Sequence, residues 1–98
     1  MIEIIVLLEV KDKVSFKEFE SRAIKIMNKY NGKLVSAFRP NKEESTLRNI
    51  FEVHYLEFPD IDAFSSYKSD HEHNDLKELR NKAISKTSII VSGDKVVY

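Results

Sequence analysis

The 98-residue sequence contains no cysteine, and its sixteen basic residues are balanced by sixteen acidic ones. The absence of cysteine excludes disulfides, thiolate metal sites and cysteine nucleophiles. Because nucleic-acid-binding proteins usually carry a basic excess, the zero net charge predicts no nucleic-acid partner. Glycine occurs only at Gly32 and Gly93. Two isolated glycines are too few for a glycine-rich phosphate loop or a nucleophile elbow.

Long apolar runs are also missing. No stretch approaches the roughly 20 apolar residues that a membrane span requires, so we expect no membrane partner. The apolar segment 1–10 is interrupted by Glu3 and Glu9, and no basic region precedes it. A secretory signal peptide needs a basic start and a longer apolar run. We therefore expect a cytoplasmic protein.

The residues that are present favour one packed domain. Hydrophobic residues make up 42% of the chain and charged residues 33%, which is ordinary for a globular protein. The apolar residues come in blocks, a pattern that is not typical of disorder. The length is close to the commonest domain size. We expect residues 1–98 to form a single domain.

Hydrophobic spacing predicts strands that alternate with helices. Short β-branched and leucine-rich runs predict four strands, over 2–10, 34–39, 50–58 and 88–92. Apolar residues at helical spacing predict a first helix over 15–31.

Capping residues refine the predicted helices. Ser15 opens the first helix as part of a capping box, and Asn31-Gly32 ends it because both residues tolerate a left-handed backbone. The second helix is broken in two. Asp60 caps its short first segment, and the pattern Ser69-Asp70-His71-Glu72 opens a second segment that extends to Ile84. The order is therefore β-α-β-β-α-β, which predicts an α+β ferredoxin-like fold: a four-stranded antiparallel sheet with the helices on one face.

Three of these strands, the first, third and fourth, are apolar on both faces. The helices can cover only one face of the sheet, and monomers rarely tolerate a large exposed apolar patch. We therefore expect a homodimer whose two sheets meet face to face. In the third strand, we expect Phe51, Val53 and Tyr55 to face the helices and Glu52 and His54 to face the space between the sheets.

Several segments carry a resemblance to a known family. The segments Tyr30–Val35, Arg39-Pro40, Phe51–Phe58, Phe64–Asp70 and Leu76–Arg80 are similar to the dimeric α/β-barrel superfamily, and within it to the branch called domain of unknown function 1330. The resemblance implies a dimeric α/β barrel of ferredoxin-like subunits. The superfamily includes cofactor-free monooxygenases, haem-degrading enzymes, muconolactone-type isomerases and small-molecule-binding regulators. Because fold does not determine function, the resemblance leaves the choice among them open.

The strongest candidate site is Glu52 with His54. These residues share one strand face, and a carboxylate can orient an imidazole and raise its basicity. The pair predicts a small-molecule pocket that includes Arg39, Tyr55 and Tyr67 as ligand-binding residues. Alternatively, His54 is the general base of a cofactor-independent monooxygenase or isomerase, with Glu52 orienting it and Arg39 holding an anionic oxygen. A third interpretation is a buried polar network in which Arg39 pairs with Glu52 and no ligand binds.

The segment Asp70–Asp75 contains His71 and His73 among carboxylates. Residues two positions apart diverge around a helix axis, so we interpret both histidines as first-turn surface residues and expect no metal site. A haem protein needs an axial histidine that lines the cleft, and no histidine lies on the inner face of a main predicted helix. We therefore expect no cofactor.

Overall fold

The computed structural model describes residues 1–98 and contains the expected β-α-β-β-α-β order. A single 3-10 turn, Asn28–Tyr30, follows the first helix, and the second helical region consists of three short helices. The bounds are β1 (Ile2–Val10), α1 (Lys13–Met27), β2 (Lys33–Phe38), β3 (Glu52–Phe58), α2 (Ile61–Lys68), α3 (His71–Asp75), α4 (Lys77–Ala83) and β4 (Ile84–Val91).

All neighbouring strands of the sheet are antiparallel, and their order is β2-β3-β1-β4. The central strand β1 pairs Val6 with His54 of β3 on one side and with Ile89 of β4 on the other. Helices cover one face of this sheet, where a cluster of fourteen buried hydrophobic residues forms the core. The predicted α+β ferredoxin-like fold is confirmed.

Helix α1 begins two residues earlier than predicted. The cap is Asp12, whose carboxylate accepts hydrogen bonds from the backbone N–H groups of Val14 and Ser15. The Ser15 hydroxyl, which we expected to cap the helix, instead donates to the same carboxylate at 2.9 Å. A charged carboxylate is a stronger acceptor than a hydroxyl, so Asp12 caps the helix and Ser15 does not.

The end of this helical region was correctly located but for a partly wrong reason. Asn31 has the expected left-handed backbone, with φ of 57°. Gly32 does not, since no glycine has a positive φ. Glycine is needed there because a Cβ atom would collide with the side chains of Met27 and Phe58. The constraint at Gly32 is therefore close packing of the chain against the core.

Strand β4 begins at Ile84, four residues before the predicted start, and the predicted helix therefore ends one residue too late. Ile84 is buried and pairs with Val10 at the end of β1. A single apolar residue after a helical pattern satisfies either the helix or a following strand. Because Ile84 pairs with Val10 of β1, it belongs to strand β4 rather than to the helix. Strand β3 likewise begins at Glu52 rather than at residue 50.

The predicted orientation of β3 is wrong. His54 lies opposite Val6, and Leu56 lies opposite Ile4; paired residues share a sheet face, and Ile4, Val6 and Leu56 belong to the helix-covered core. Glu52 and His54 therefore face the helices, and Val53 and Tyr55 face away from them.

The orientation of Phe51 was predicted correctly. Its ring lies 5.9 Å from that of Phe16 on α1, because residue 51 precedes the regular strand. Further along β3 both faces carry apolar residues, so alternation could not identify the covered face.

The opposite surface of the sheet, which we call the open face, carries no helix. Ile5 and Leu7 of β1 are half-buried there, and Phe38 and Ile90 on the edge strands are 57% and 59% exposed. Residues of the 39–51 loop, including Leu47, cover one corner of it, beside Val53. None of the helices is both long and apolar enough to cross a membrane.

Candidate functional site

A cavity of about 290 Å³ lies between the helices and the covered face of the sheet. Eleven of its seventeen lining residues are hydrophobic, and they come from both the strands and α1. Among them are Val6, Leu8, Phe19, Ala23, Ile24 and Leu56. The polar and charged residues of the lining are Glu20, His54, Lys68, His73, Arg80 and Thr87. The cavity is therefore an apolar chamber with a small number of polar groups.

His54 is the most buried polar residue of the lining, with 5% exposure. Its Nε2 atom lies 2.5 Å from Glu52 Oε2, and its Nδ1 atom lies 3.5 Å from Glu20 Oε2 on α1. On the solvent side, Arg39 Nε donates to Glu52 Oε1 at 3.3 Å. These four side chains form a continuous row, the Arg39–Glu20 network. The predicted contact between Arg39 and Glu52 is confirmed.

The number of protons on the His54 ring limits how it can interact with its two carboxylate neighbours. A neutral imidazole carries one N–H, so it can donate to only one of its two carboxylate neighbours. The short contact with Glu52 assigns that N–H to Nε2. The Nδ1 atom then faces Glu20 with a lone pair, and the pair needs a proton on either Glu20 or Nδ1 to be attractive. The Glu20–His54 contact at the cavity wall is therefore favourable only when one of the two groups carries this proton.

Burial favours the protonated form of the Glu20 carboxyl group near neutral pH. Loss of hydration raises the pKa of Glu20 to about 7, with Glu52 adding to the rise and His54 opposing it. Sequence analysis did not identify Glu20. The signal was present, because Glu20 lies four residues after Phe16 and three before Ala23, which places a carboxylate on the apolar stripe of the helix.

Tyr67 and His73 line the same cavity, and their rings pack edge to face at 4.7 Å. Burial raises the pKa of the Tyr67 hydroxyl, and Glu20 adds to the rise. Burial also lowers the pKa of His73, and the cationic Arg80 contributes. The neutral forms of both rings are therefore favoured.

His71 is 91% exposed and lies 3.6 Å from Asp75. The two histidines of this segment point to different environments, as expected. The interpretation of both as surface residues was wrong for His73, because α3 turns it toward Phe19 at a ring distance of 6.3 Å.

Thr87 contributes an unusual group to the cavity lining. Its hydroxyl oxygen is buried and has no hydrogen-bond partner. A buried polar group without a partner costs roughly 1–3 kcal/mol. Such an atom in a cavity wall is an available contact for a bound molecule.

Tyr55 lies on the opposite side of the sheet from the other candidate residues. Its hydroxyl donates to Glu3 Oε2 at 2.8 Å on the open face. The structure therefore brings Glu52, His54 and Tyr67 to the covered face, with Arg39 at the end of the network, and places Tyr55 elsewhere. The two tyrosines cannot contact the same small ligand within one subunit.

Comparison with known proteins gives a family and a fold. The family described as domain of unknown function (DUF1330) matches residues 4–94, which confirms the resemblance seen in the sequence. No curated protein matches the chain.

Three solved structures illustrate the fold. A protein of unknown function from Rhodopseudomonas palustris is 13% identical, with 98% of this chain and 83% of that chain covered and a TM-score of 0.81. A dimeric protein of unknown function and ferredoxin-like fold from Bacteroides fragilis is 16% identical, with 93% of each chain covered and a TM-score of 0.65. An antibiotic biosynthesis monooxygenase is 13% identical, with 98% of this chain and 100% of that chain covered and a TM-score of 0.70. At these identities the likeness concerns the fold alone.

Proposed function

The chain belongs to this family, DUF1330, whose description names no activity, and we propose that its cavity binds a small, mostly apolar molecule. The observation that carries the proposal is the apolar chamber of about 290 Å³ with buried polar groups in its wall. Ligand pockets typically measure about 300–1,000 Å³ and combine apolar walls with a few orienting polar groups. This volume suits a compact ligand of one or two rings.

The polar groups support the same proposal. The Thr87 hydroxyl has no partner within the protein, and the Glu20 carboxyl is largely withdrawn from water. Each of these groups gains a hydrogen bond when a ligand supplies a matching donor or acceptor. An unsatisfied Thr87 hydroxyl in the wall of an apolar chamber is better explained by ligand binding than by structural support of the fold.

A fragment screen tests this proposal. We expect ligand-observed NMR to detect saturable binding of single-ring and two-ring aromatic fragments. The variant Ile24→Phe enlarges a lining residue and is expected to weaken binding. The matched control Val14→Phe adds a phenyl group on an exposed position of the same helix and leaves binding unchanged. Equal loss in both variants, or no saturable binding to the parent protein, contradicts the proposal.

A second candidate function is proton abstraction from the bound molecule, as in a cofactor-independent monooxygenase or isomerase. The Glu20–His54 contact supports it, because burial raises the pKa of Glu20 to about 7, and a carboxyl group that titrates near the operating pH can hold and return the proton that His54 takes from the ligand. In this proposal His54 is the general base and Glu52 orients it. Arg39 does not line the cavity, so we propose that it neutralises Glu52 rather than holding a substrate oxygen.

Hydrogen exchange separates binding from catalysis. A fragment with an acidic C–H beside a carbonyl group is bound to the protein in deuterated water, and loss of its proton signal is followed by NMR. Catalysis predicts faster exchange with the parent protein than with His54→Gln. The control Lys77→Gln, which alters an exposed residue, keeps the parent rate. Absence of catalysed exchange for every bound fragment leaves passive binding as the function.

We also propose that the chain forms a homodimer across its open face. Support comes from the exposed Phe38 and Ile90 on that face and from the dimeric relative of the same fold. Light scattering after size exclusion tests it: we expect a dimer mass for the parent and a monomer mass for Ile90→Lys. The control Ile61→Lys changes a residue of similar exposure on α2 and keeps the dimer. A monomeric parent protein contradicts the proposal.

A further inference from the structure

Two cationic side chains, Lys68 of α2 and Arg80 of α4, belong to the lining of the cavity. Both are exposed, which places their charged groups at its mouth. The Lys68 Nζ atom lies 4.6 Å from the ring centroid of Phe64, another lining residue. The Lys68 ammonium group therefore packs on an aromatic ring of the cavity wall.

Neither of these cations has an acidic partner within the protein. Four other basic residues do form ion pairs with carboxylates: Arg22, Lys29, Arg39 and Lys95. The single carboxylate in the lining, Glu20, contacts His54 instead. An unpaired cation beside a partly dry cavity attracts anions more strongly than one in bulk water, because the effective dielectric constant is lower.

From this arrangement we infer that the ligand is an organic acid, with a carboxylate held at the rim by Lys68 and Arg80 and a hydroxyl or carbonyl group that meets Thr87 at the floor. This inference rests on the proposed binding function and adds the chemical class of the ligand. The apolar wall between rim and floor accommodates an aromatic ring or a short aliphatic body. The Thr87 hydroxyl serves as donor to a carbonyl or as partner of a hydroxyl.

The remaining polar groups of the chamber are compatible with an acid. Burial disfavours the charged form of Glu20 and of His73, which reduces the negative charge that the Glu20 carboxyl group presents to a bound acid. A cationic ligand, by contrast, meets two like charges at the entrance. The chamber therefore selects against amines as well as for acids.

Four related compounds test both ends of the ligand: hydroxynaphthoate, naphthoate and the two corresponding neutral amides. Affinities are measured by isothermal titration calorimetry. We expect each acid to bind about tenfold more tightly than its amide, because charge-assisted hydrogen bonds are the stronger kind. We expect the hydroxyl group to improve affinity in both pairs.

Variants assign each preference to its residues. The double variant Lys68→Gln/Arg80→Gln is expected to bind acids and amides equally. Its control, Lys25→Gln/Lys77→Gln, removes two exposed positive charges from helices without altering the lining and keeps the preference. Thr87→Val removes the advantage of the hydroxyl compounds and leaves the preference for acids intact.

The outcomes separate this inference from the function on which it rests. If the parent protein binds acids and amides with equal affinity, the inference is overturned while binding itself stands. The same holds if the control variant loses the preference for acids together with the double variant. If neutral fragments bind and the acids do not, the inference is again overturned alone. If no fragment and no naphthalene compound binds, both proposals fail.

Discussion

Strand β3 carries polar residues on both of its faces, and the two faces differ in what covers them. On the covered face, His54 is 5% exposed and contacts carboxylates at both ring nitrogens. On the open face, the Tyr55 hydroxyl forms one hydrogen bond, to Glu3, without a helix above it. Residues one position apart in the sequence thus occupy a chamber and an uncovered surface.

The difference shows that the helices over the covered face, more than the residue types on β3, determine what the site can do chemically. Helix α1 contributes Glu20 to the chamber and excludes water from it. Loss of water raises the pKa of Glu20 to about 7, which favours a protonated carboxyl group beside His54. The open face has a carboxylate and a hydroxyl within hydrogen-bond distance, but they line a depression that is more open to solvent than the chamber.

The largest expected effect compares a phenylalanine on each face. Phe58 is fully buried under the helices, whereas Phe38 is mostly exposed. We expect Phe58→Ala to lower the free energy of unfolding by about 3–5 kcal/mol, because a large core cavity is created. Phe38→Ala is expected to change it far less in denaturant titrations at low protein concentration. Equal losses would show that the open face is as tightly packed as the core.

The second prediction concerns the contribution of Glu20 to the pH dependence of stability. The groups that interact with its charge are His54, Glu52 and Tyr67, and the other charged or titratable residues of the lining are Lys68, His73 and Arg80. Its folded pKa of about 7 lies above the ordinary value of 4.5. The folded state therefore binds more protons than the unfolded state between these values, and stability falls as pH rises through this window.

The variant Glu20→Gln has no ionisable group at this position, so it avoids the loss of stability at higher pH. The shift corresponds to about 3 kcal/mol, so we expect the variant to be more stable than the parent by up to that amount at pH 8 and nearly equal to it below pH 4.5. Thermal or denaturant unfolding across this pH range measures the difference. A constant difference at all pH values would assign the effect to packing rather than to ionisation. Glu57→Gln, on the open face, serves as the control.

A third prediction uses two adjacent residues on opposite faces of β4. Thr87 has a buried hydroxyl without a partner, and Ser88 lies opposite Leu7 on the open face. We expect Thr87→Val to raise the free energy of unfolding by about 1 kcal/mol, because it removes an unsatisfied polar group without changing shape. Ser88→Ala should have little effect. Destabilisation by Thr87→Val would mean that the hydroxyl has a partner, such as an ordered water molecule.

The smallest expected effect is that of Tyr55→Phe. The variant removes the hydrogen bond to Glu3 on the open face and is expected to lower the free energy of unfolding by about 0.5 kcal/mol, toward the low end for a solvent-accessible bond. Ligand binding in the chamber is expected to be unchanged. Loss of ligand affinity in this variant would contradict the separation of the two faces.

Much of the fold could be predicted from local patterns. The order of strands and helices and the ferredoxin-like topology followed from apolar spacing and from capping and turn residues. The errors in the bounds of helices and strands lay where two local signals competed. Asp12 replaced Ser15 as the helix cap because it is the stronger acceptor, and Ile84 joined β4 because β1 was there to pair with it.

The candidate site divides in the same way between local and distant information. By itself the sequence determined that Glu52 and His54 share a strand face and that Arg39 is near enough to pair with Glu52. Only the tertiary structure decided that this face lies under the helices, because a strand apolar on both sides does not indicate which side is covered. It also brought Glu20 to within 3.5 Å of His54 and placed Tyr67 and Thr87 in the lining of the same cavity. Contacts of that kind depend on the packing of helices on the sheet, which no local pattern encodes.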